Sequence, residues 1–265
     1  MSDVPSQDLR LGDFPSQDRL GQDWPPAVEI VNEAGRSPIV LLCEHASCHI
    51  PADYSRLGLP EAEVRRHIGW DIGAADVARG LSARLDAPLF LGTYSRLLVD
   101  LNRPLAAPSL IPGLSEATTI PGNREISDAE RRRRIETIFA PFHAAVADHL
   151  DRRRNQPTIL VTIHSFTPVF LGVARPWHAG ILFDRSEAFA RRVIARLLHE
   201  PGLNVAANEP YRIDASGDYA IPVHGEARGL EAILVEIRND QISTPLGAAA
   251  WADRLAAALR PEIGA

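Results

Sequence analysis

Three apolar runs in this chain end in residues that do chemistry. Pro38-Ile39-Val40-Leu41-Leu42-Cys43 leads into Glu44-His45. Thr158-Ile159-Leu160-Val161-Thr162-Ile163 leads into His164-Ser165, and Ala232-Ile233-Leu234-Val235 into Glu236-Ile237-Arg238. Two imidazoles and a carboxylate around one open position make a catalytic zinc site. Such a metal lowers the pKa of bound water to about 7 and polarises a carbonyl, and a nearby glutamate can shuttle the proton. The plainer alternative is that Glu44, His45 and Glu236 cap strands with hydrogen bonds. Of the nine histidines, only His45 and His164 directly follow strongly apolar strands. His143, His149 and His199 fall within helical patterns, and His49, His67, His178 and His224 are weaker candidates. The segment Ser95-Arg96-Leu97-Leu98-Val99-Asp100-Leu101-Asn102-Arg103-Pro104 adds two arginines and an asparagine around an apolar run. Arginine grips a carboxylate through two parallel hydrogen bonds, so an anionic substrate fits this set better than surface ion pairs.

The elements that must position these groups read as an α/β fold. Strands covered on both faces need no polar alternation, and ligands bind beyond the carboxyl ends of such strands. An amphipathic helix is predicted to begin at Asp71, with Ile72, Ala75, Val77, Ala78, Leu81 and Leu85 as its apolar positions. Residues 88–92 and 97–101 read as the next two strands, and residues 104–125, rich in Pro, Gly, Ser and Thr, as a long irregular loop of the kind that often serves as a lid. A long helix over 128–153, a strand over 179–183, a helix over 186–199 capped by Ser186, and a closing alanine-rich helix over 246–259 complete the alternation. The expectation is a single α/β domain, residues 27–265, with a mixed, largely parallel central sheet flanked by helices. Residues 1–26 form a polar, Pro-rich lead-in whose segment 5–12 is echoed by 15–21, and two short copies cannot build a repeat fold.

Composition narrows the function. The formal net charge of -6 over 265 residues argues against nucleic acid as partner, because phosphate binding needs a basic footprint. The run Arg131-Arg132-Arg133-Arg134 follows a helix cap at Ser127 and reads as a solvated helical face. Cys43 and Cys48 form neither a disulfide framework nor a metal knuckle. No apolar stretch approaches the roughly 20 residues of a membrane span, and no signal peptide is evident, so a cytoplasmic protein is expected. Oligomeric state stays open.

Several segments together resemble the N-formylglutamate amidohydrolase family: residues 43–47 (Cys-Glu-His-Ala-Ser), 67–74 (His-Ile-Gly-Trp-Asp-Ile-Gly-Ala), 94–104, 164–168, 208–211 (Asn-Glu-Pro-Tyr) and 236–240 (Glu-Ile-Arg-Asn-Asp). The resemblance runs in order from residue 36 to about residue 260. That family is similar in turn to zinc carboxypeptidases and aspartoacylases, which implies their phosphorylase/hydrolase-like fold and bound Zn2+, or another divalent metal. Carried over residue by residue, it implies His45, Asp71 and His164 as metal ligands. The third residue after His45 is Cys48 rather than the glutamate of a His-x-x-Glu pair, so Asp71 takes that place across an insertion; Glu44 is the rival carboxylate, or else orients His45. Glu236 is implied as the catalytic carboxylate, Arg96 as oxyanion stabiliser, and Arg103, Arg175 and Asn102 as holders of substrate carboxylates. The activity implied is removal of an N-formyl or small N-acyl group from a small acidic amino acid such as N-formyl-L-glutamate. A carboxypeptidase-like or other N-acyl amino acid hydrolase, or a non-enzymatic binder of an acidic metabolite, are the alternatives.

Overall fold

The computed structural model describes residues 23–264. The near-duplicated segments at 5–12 and 15–21 lie outside the described residues. In chain order the strands are β1 (Val28–Val31), β2 (Ile39–Cys43), β3 (Leu89–Gly92), β4 (Leu114–Ser115), β5 (Thr118–Thr119), β6 (Ile159–Phe166), β7 (Val169–Phe170), β8 (Val173–Ala174), β9 (Ala179–Leu182), β10 (Val205–Ala207) and β11 (Glu231–Arg238). The helices are α1 (Glu61–Val64), α2 (Ala74–Leu85), α3 (Asp128–Arg134), α4 (Ala140–Arg152), α5 (Glu187–Leu197) and α6 (Pro245–Leu259).

Seven strands form one sheet in the order β1-β3-β2-β6-β11-β9-β10. The central strands β3, β2, β6 and β11 run parallel, while β1 and β9 pair antiparallel to β3 and β11. This is the mixed, largely parallel sheet that the unbroken apolar runs imply. Ile39, Leu41 and Cys43 pack on one face with α2, α5 and α6; Val40 and Leu42 pack on the other with α4 and the loops. Because β2, β6 and β11 are adjacent and parallel, their carboxyl ends open at one place, and Glu236 lies directly opposite His164 in register. Of the lead-in, Asp23 to Pro26 are described, and Trp24 is buried against Tyr54 and Tyr94.

Several local expectations differ. Residues 97–101 are buried but form turns, not a strand. Ser95 Oγ accepts from Leu97 N at 3.2 Å and Leu98 N donates to Ser95 O at 3.0 Å, so the run coils on itself; a short apolar run alone does not distinguish the two. Helix α2 starts three residues after Asp71. Gly73 adopts φ 81° and a Cβ there would collide with Ile242 O, so the chain turns before the helix begins. The 128–153 helix is continuous but passes through a π turn at Ile135–Phe139 just before Pro141, which has no N–H to continue the α ladder. Ser186 precedes α5 without capping it; its Oγ accepts instead from Ala232 N at 2.9 Å. The four-arginine run is solvated at Arg132 and Arg133, but Arg134 is 1% exposed and donates to Glu130, Leu98 O and Asn123 Oδ1. Asn123 in turn donates to Leu97 O and Pro112 O, so this buried arginine props the turn that carries Arg96.

Candidate active site

At the carboxyl ends of β2, β6 and β11 lies a cleft of about 560 Å³. His45, Asp71 and His164 converge on its floor, each buried and each offering a ligand atom within 4.8 Å of the others. Asp71 reaches them because its backbone N–H donates to His45 O at 3.0 Å, which ties the turn before α2 to the end of β2. Asp71 Oδ2 lies 2.9 Å from His164 Nδ1 and 3.4 Å from His45 Nδ1. The opposite ring nitrogens each meet a second carboxylate: His45 Nε2 is 2.7 Å from Asp100 Oδ1, and His164 Nε2 is 3.0 Å from Glu44 Oε2. With Nε2–H donated to those carboxylates, both Nδ1 lone pairs face Asp71 Oδ2. Two lone pairs and a carboxylate oxygen brought together need a proton or a metal ion between them; a proton on His164 Nδ1 is one such occupant, and the donor set also fits a divalent metal with its ligands oriented from behind. Of the two competing carboxylates, Asp71 therefore occupies the candidate ligand position. Glu44 turns away to His164, not to His45 as expected, and Asp100 serves His45.

The electrostatics follow the same lines. Burial pushes Asp71 and Asp100 upward, but His45 and Arg96 beside them hold both well below the ordinary carboxylate range. Burial works against the charged form of His164, yet Glu44 and Asp71 raise it well above its usual value. Arg96 binds Asp71 Oδ1 at 3.1 Å through Nη1 and Asp100 Oδ2 at 3.2 and 3.1 Å through Nε and Nη2. Glu236 stands beside His164 with its Oε2 buried and without a partner among the described residues, and burial, only partly offset by His164, pushes its carboxyl up to about 8.

The residues assigned to substrate carboxylates sit differently from one another. Arg103 lines the cleft and anchors through Nη1 to Gly217 O at 2.5 Å and Asn102 O at 3.3 Å. Asn102 also lines it, but its amide is engaged: Oδ1 accepts from Tyr219 N and Ala220 N, and Nδ2 donates to Asp218 at 3.1 Å. Arg175 stands behind the wall. Its guanidinium lies 4.5 Å from the Phe170 ring and 4.9 Å from the Tyr211 ring, and Nη1 is buried without a partner among the described residues. Phe170 and Tyr211 line the cleft, as do Arg212 and the β4 residues Leu114 and Ser115 of the irregular 104–125 segment.

Sequence reasoning gave no role to Asp100, Tyr211, Arg212 or Asp218, and left His67 among the weaker histidines. Asp100 carried a usable signal, being a lone carboxylate inside the apolar run 97–101. Tyr211 ends the resembling segment 208–211 but carries no role there, and nothing local marks Arg212; both line the cleft from a stretch whose Glu209 O packs against Gly180 of β9.

Known proteins share this architecture. A gene product of Agrobacterium tumefaciens has a solved structure that superposes with TM-score 0.86 at 36% identity, covering 91% of this chain and 98% of that one. An N-formylglutamate amidohydrolase from Ralstonia eutropha JMP134 shares the fold with TM-score 0.71 at 21% identity, covering 91% of this chain and 99% of that one. An N-formylglutamate deformylase of Pseudomonas putida is 34% identical over 134 residues, 46% of this chain and 48% of that protein, so the match spans about half of that relative's length. The family model described as N-formylglutamate amidohydrolase matches residues 37–243. That span contains all three strand ends and the turn bearing Asp71, and it establishes that this chain belongs to the N-formylglutamate amidohydrolase family.

Proposed function

We propose that this chain is a metal-dependent amidohydrolase that removes the N-formyl group, or another small N-acyl group, from an acidic amino acid such as N-formyl-L-glutamate. The observation that carries this reading is the convergence of two imidazole Nδ1 atoms on Asp71 Oδ2, beside a buried Glu236 oxygen that has no partner among the described residues. His45, Asp71 and His164 would hold the ion, Zn2+ or another divalent metal, since two imidazoles and one carboxylate suit several. Bound there, such an ion supplies Lewis-acid polarisation of the acyl carbonyl and acidifies water.

The remaining roles belong to the chain itself. Glu236 takes the proton of the attacking water and delivers it to the departing amine. Arg96 uses three of its five N–H groups on Asp71 and Asp100, which leaves two for the developing oxyanion. Arg103 holds a substrate carboxylate from the cleft wall, Arg175 braces Phe170 and Tyr211 from behind that wall, and Asn102 keeps one amide hydrogen as a further donor. The Pseudomonas relative's name and the family match support the substrate class. The reading makes the partner a small acidic metabolite in the cytoplasm rather than nucleic acid, in keeping with the charge of -6. Among the described residues no helix is long and apolar enough to cross a membrane.

The test is hydrolysis of a panel of N-formyl, N-acetyl and N-succinyl amino acids and short peptides by purified protein, with bound metal measured on the same sample. N-formylglutamate should be turned over fastest. Tight binding without turnover after zinc, cobalt or manganese is supplied would refute the enzymatic reading and favour a binder.

A further inference from the structure

Only one of the two Asp71 carboxylate oxygens faces the imidazoles. Oδ2 meets both Nδ1 atoms and accepts the backbone N–H of Ser165 at 3.2 Å. Oδ1 points the other way, toward Arg96 Nη1 at 3.1 Å and His67 Nδ1 at 3.5 Å. The second separation is too long for a hydrogen bond, and His67 Nδ1 is accordingly a buried nitrogen with no partner among the described residues. His67 thus contributes a ring to the cleft wall and directs an unsatisfied nitrogen at the outer oxygen of the triad's carboxylate.

The turn that carries this histidine is tied at both ends. Arg66 donates to Glu63, Glu116 and Thr118, which staples it to the β4–β5 hairpin. Gly69 O accepts from Ser95 Oγ at 2.8 Å and from Arg96 N at 3.2 Å, and Trp70 Nε1 donates to Arg65 O at 3.0 Å. The same backbone carbonyl therefore fixes His67 and Arg96, the two groups that meet Asp71 Oδ1, relative to each other. A buried imidazole left unpartnered is costly unless a closely related state satisfies it.

We propose that His67 is a positioning residue for Asp71: its Nδ1–H closes onto Oδ1 when a divalent ion draws on Oδ2, so that His67 and Arg96 together hold the carboxylate as a one-oxygen ligand. The inference rests on the reading that the triad holds a metal. Without His67, Oδ1 keeps Arg96 as its single partner, and the carboxylate is oriented less firmly, by Arg96 on Oδ1 and the Ser165 N–H on Oδ2. Removal of a group that orients a ligand from behind typically costs ~10- to 100-fold in metal affinity.

The test measures Zn2+ affinity of the purified full chain by competition with a chromophoric chelator, for wild type and for His67→Ala, His67→Asn and His67→Gln. Asparagine places an amide nitrogen near the Nδ1 position, whereas glutamine reaches toward Nε2. Expected are a ~10- to 100-fold loss for His67→Ala, substantial recovery in His67→Asn but not in His67→Gln, and a fall in kcat larger than the change in KM. Should the alanine variant fail to fold, the asparagine–glutamine comparison decides alone. Equal zinc affinity for the asparagine and glutamine variants, or an affinity for His67→Ala within about twofold of wild type, would overturn the proposal. So would a wild type that binds no zinc. A wild type whose zinc affinity follows His67 as expected but which hydrolyses no N-acyl amino acid sinks the proposed function and leaves this inference standing.

Discussion

Gly180→Ala should damage the active site from a residue that touches no reacting group. Gly180 lies on β9, opposite Glu236 in the antiparallel register with β11, and its missing side chain is where Glu209 O packs. A methyl group there overlaps that oxygen, which must retreat by roughly 2 Å to reach an ordinary carbon–oxygen separation. β9 is buried between β11 and β10, so the strand cannot yield; the 208–211 segment, half-buried up to the exposed Tyr211, must. Two hydrogen bonds pin that segment, Asn208 N to Ile181 O at 3.0 Å and Phe183 N to Asn208 Oδ1 at 2.9 Å. Losing both costs about 2 kcal/mol at roughly 1 kcal/mol each, which for a chain of this size lowers Tm by about 4–8 °C. The functional loss is larger in proportion, because Tyr211 leaves the Arg175 guanidinium and Arg212 leaves the cleft. We expect kcat/KM for N-formylglutamate to fall at least about tenfold, chiefly through KM, since misplacement by an ångström or more suffices for such losses. Steady-state kinetics and a thermal melt on the same preparation measure both. A variant with wild-type KM and wild-type Tm would refute the argument, since the added carbon must be accommodated somewhere.

The other expectations concern individual groups. Glu236→Gln should lower kcat at least about a thousandfold with metal content unchanged, as the amide keeps the shape but cannot carry the proton; substantial residual turnover would remove Glu236 from its role. Arg175→Lys should raise KM about tenfold or more while sparing kcat, because an ammonium cannot reproduce a planar fork stacked between Phe170 and Tyr211; an unchanged KM would count against it. Arg134→Met should cost about 3 kcal/mol, or roughly 6–12 °C in Tm, because it strands Leu98 O and Asn123 Oδ1 in the interior. Acid should destabilise the fold through a second histidine pair. Burial holds His224 down to about 3 and its neighbour His143 well below the ordinary histidine value. The unfolded chain therefore takes up protons first as pH falls below about 6.5, and stability drops by roughly 2 kcal/mol through His224 by pH 5, with His143 acting in the same direction. Urea unfolding at pH 7 and pH 5 measures this, and a pH dependence undiminished in His224→Gln would contradict the assignment.

The assembly of the site from three strand ends was legible because the rule behind it is geometric. An apolar run without alternation belongs in the middle of a covered, largely parallel sheet, and polar residues at the carboxyl ends of such strands must share one edge. His45, His164 and Glu236 obey it, and family resemblance added Asp71, which no periodicity could have linked to His45 across a separation of 26 positions. The run 97–101 was misread as a strand because burial alone sets its composition, and a buried turn asks for the same residues. Of the arginines of α3, Arg132 and Arg133 are exposed as expected and Arg134 is not, for a related reason: charge implies exposure only until a buried partner is known, and Arg134 finds three.

By itself, then, the sequence determined which strands are buried, where their polar ends gather, and that imidazoles, a carboxylate and arginines meet there. Tertiary structure alone decided how those groups face one another. Glu44 and Asp71 offer the same chemistry. Their places were settled by the hydrogen bond from Asp71 N to His45 O and by the imidazole nitrogen to which each carboxylate turns. Those are distances between segments far apart in the chain, set by packing, and no local pattern encodes them.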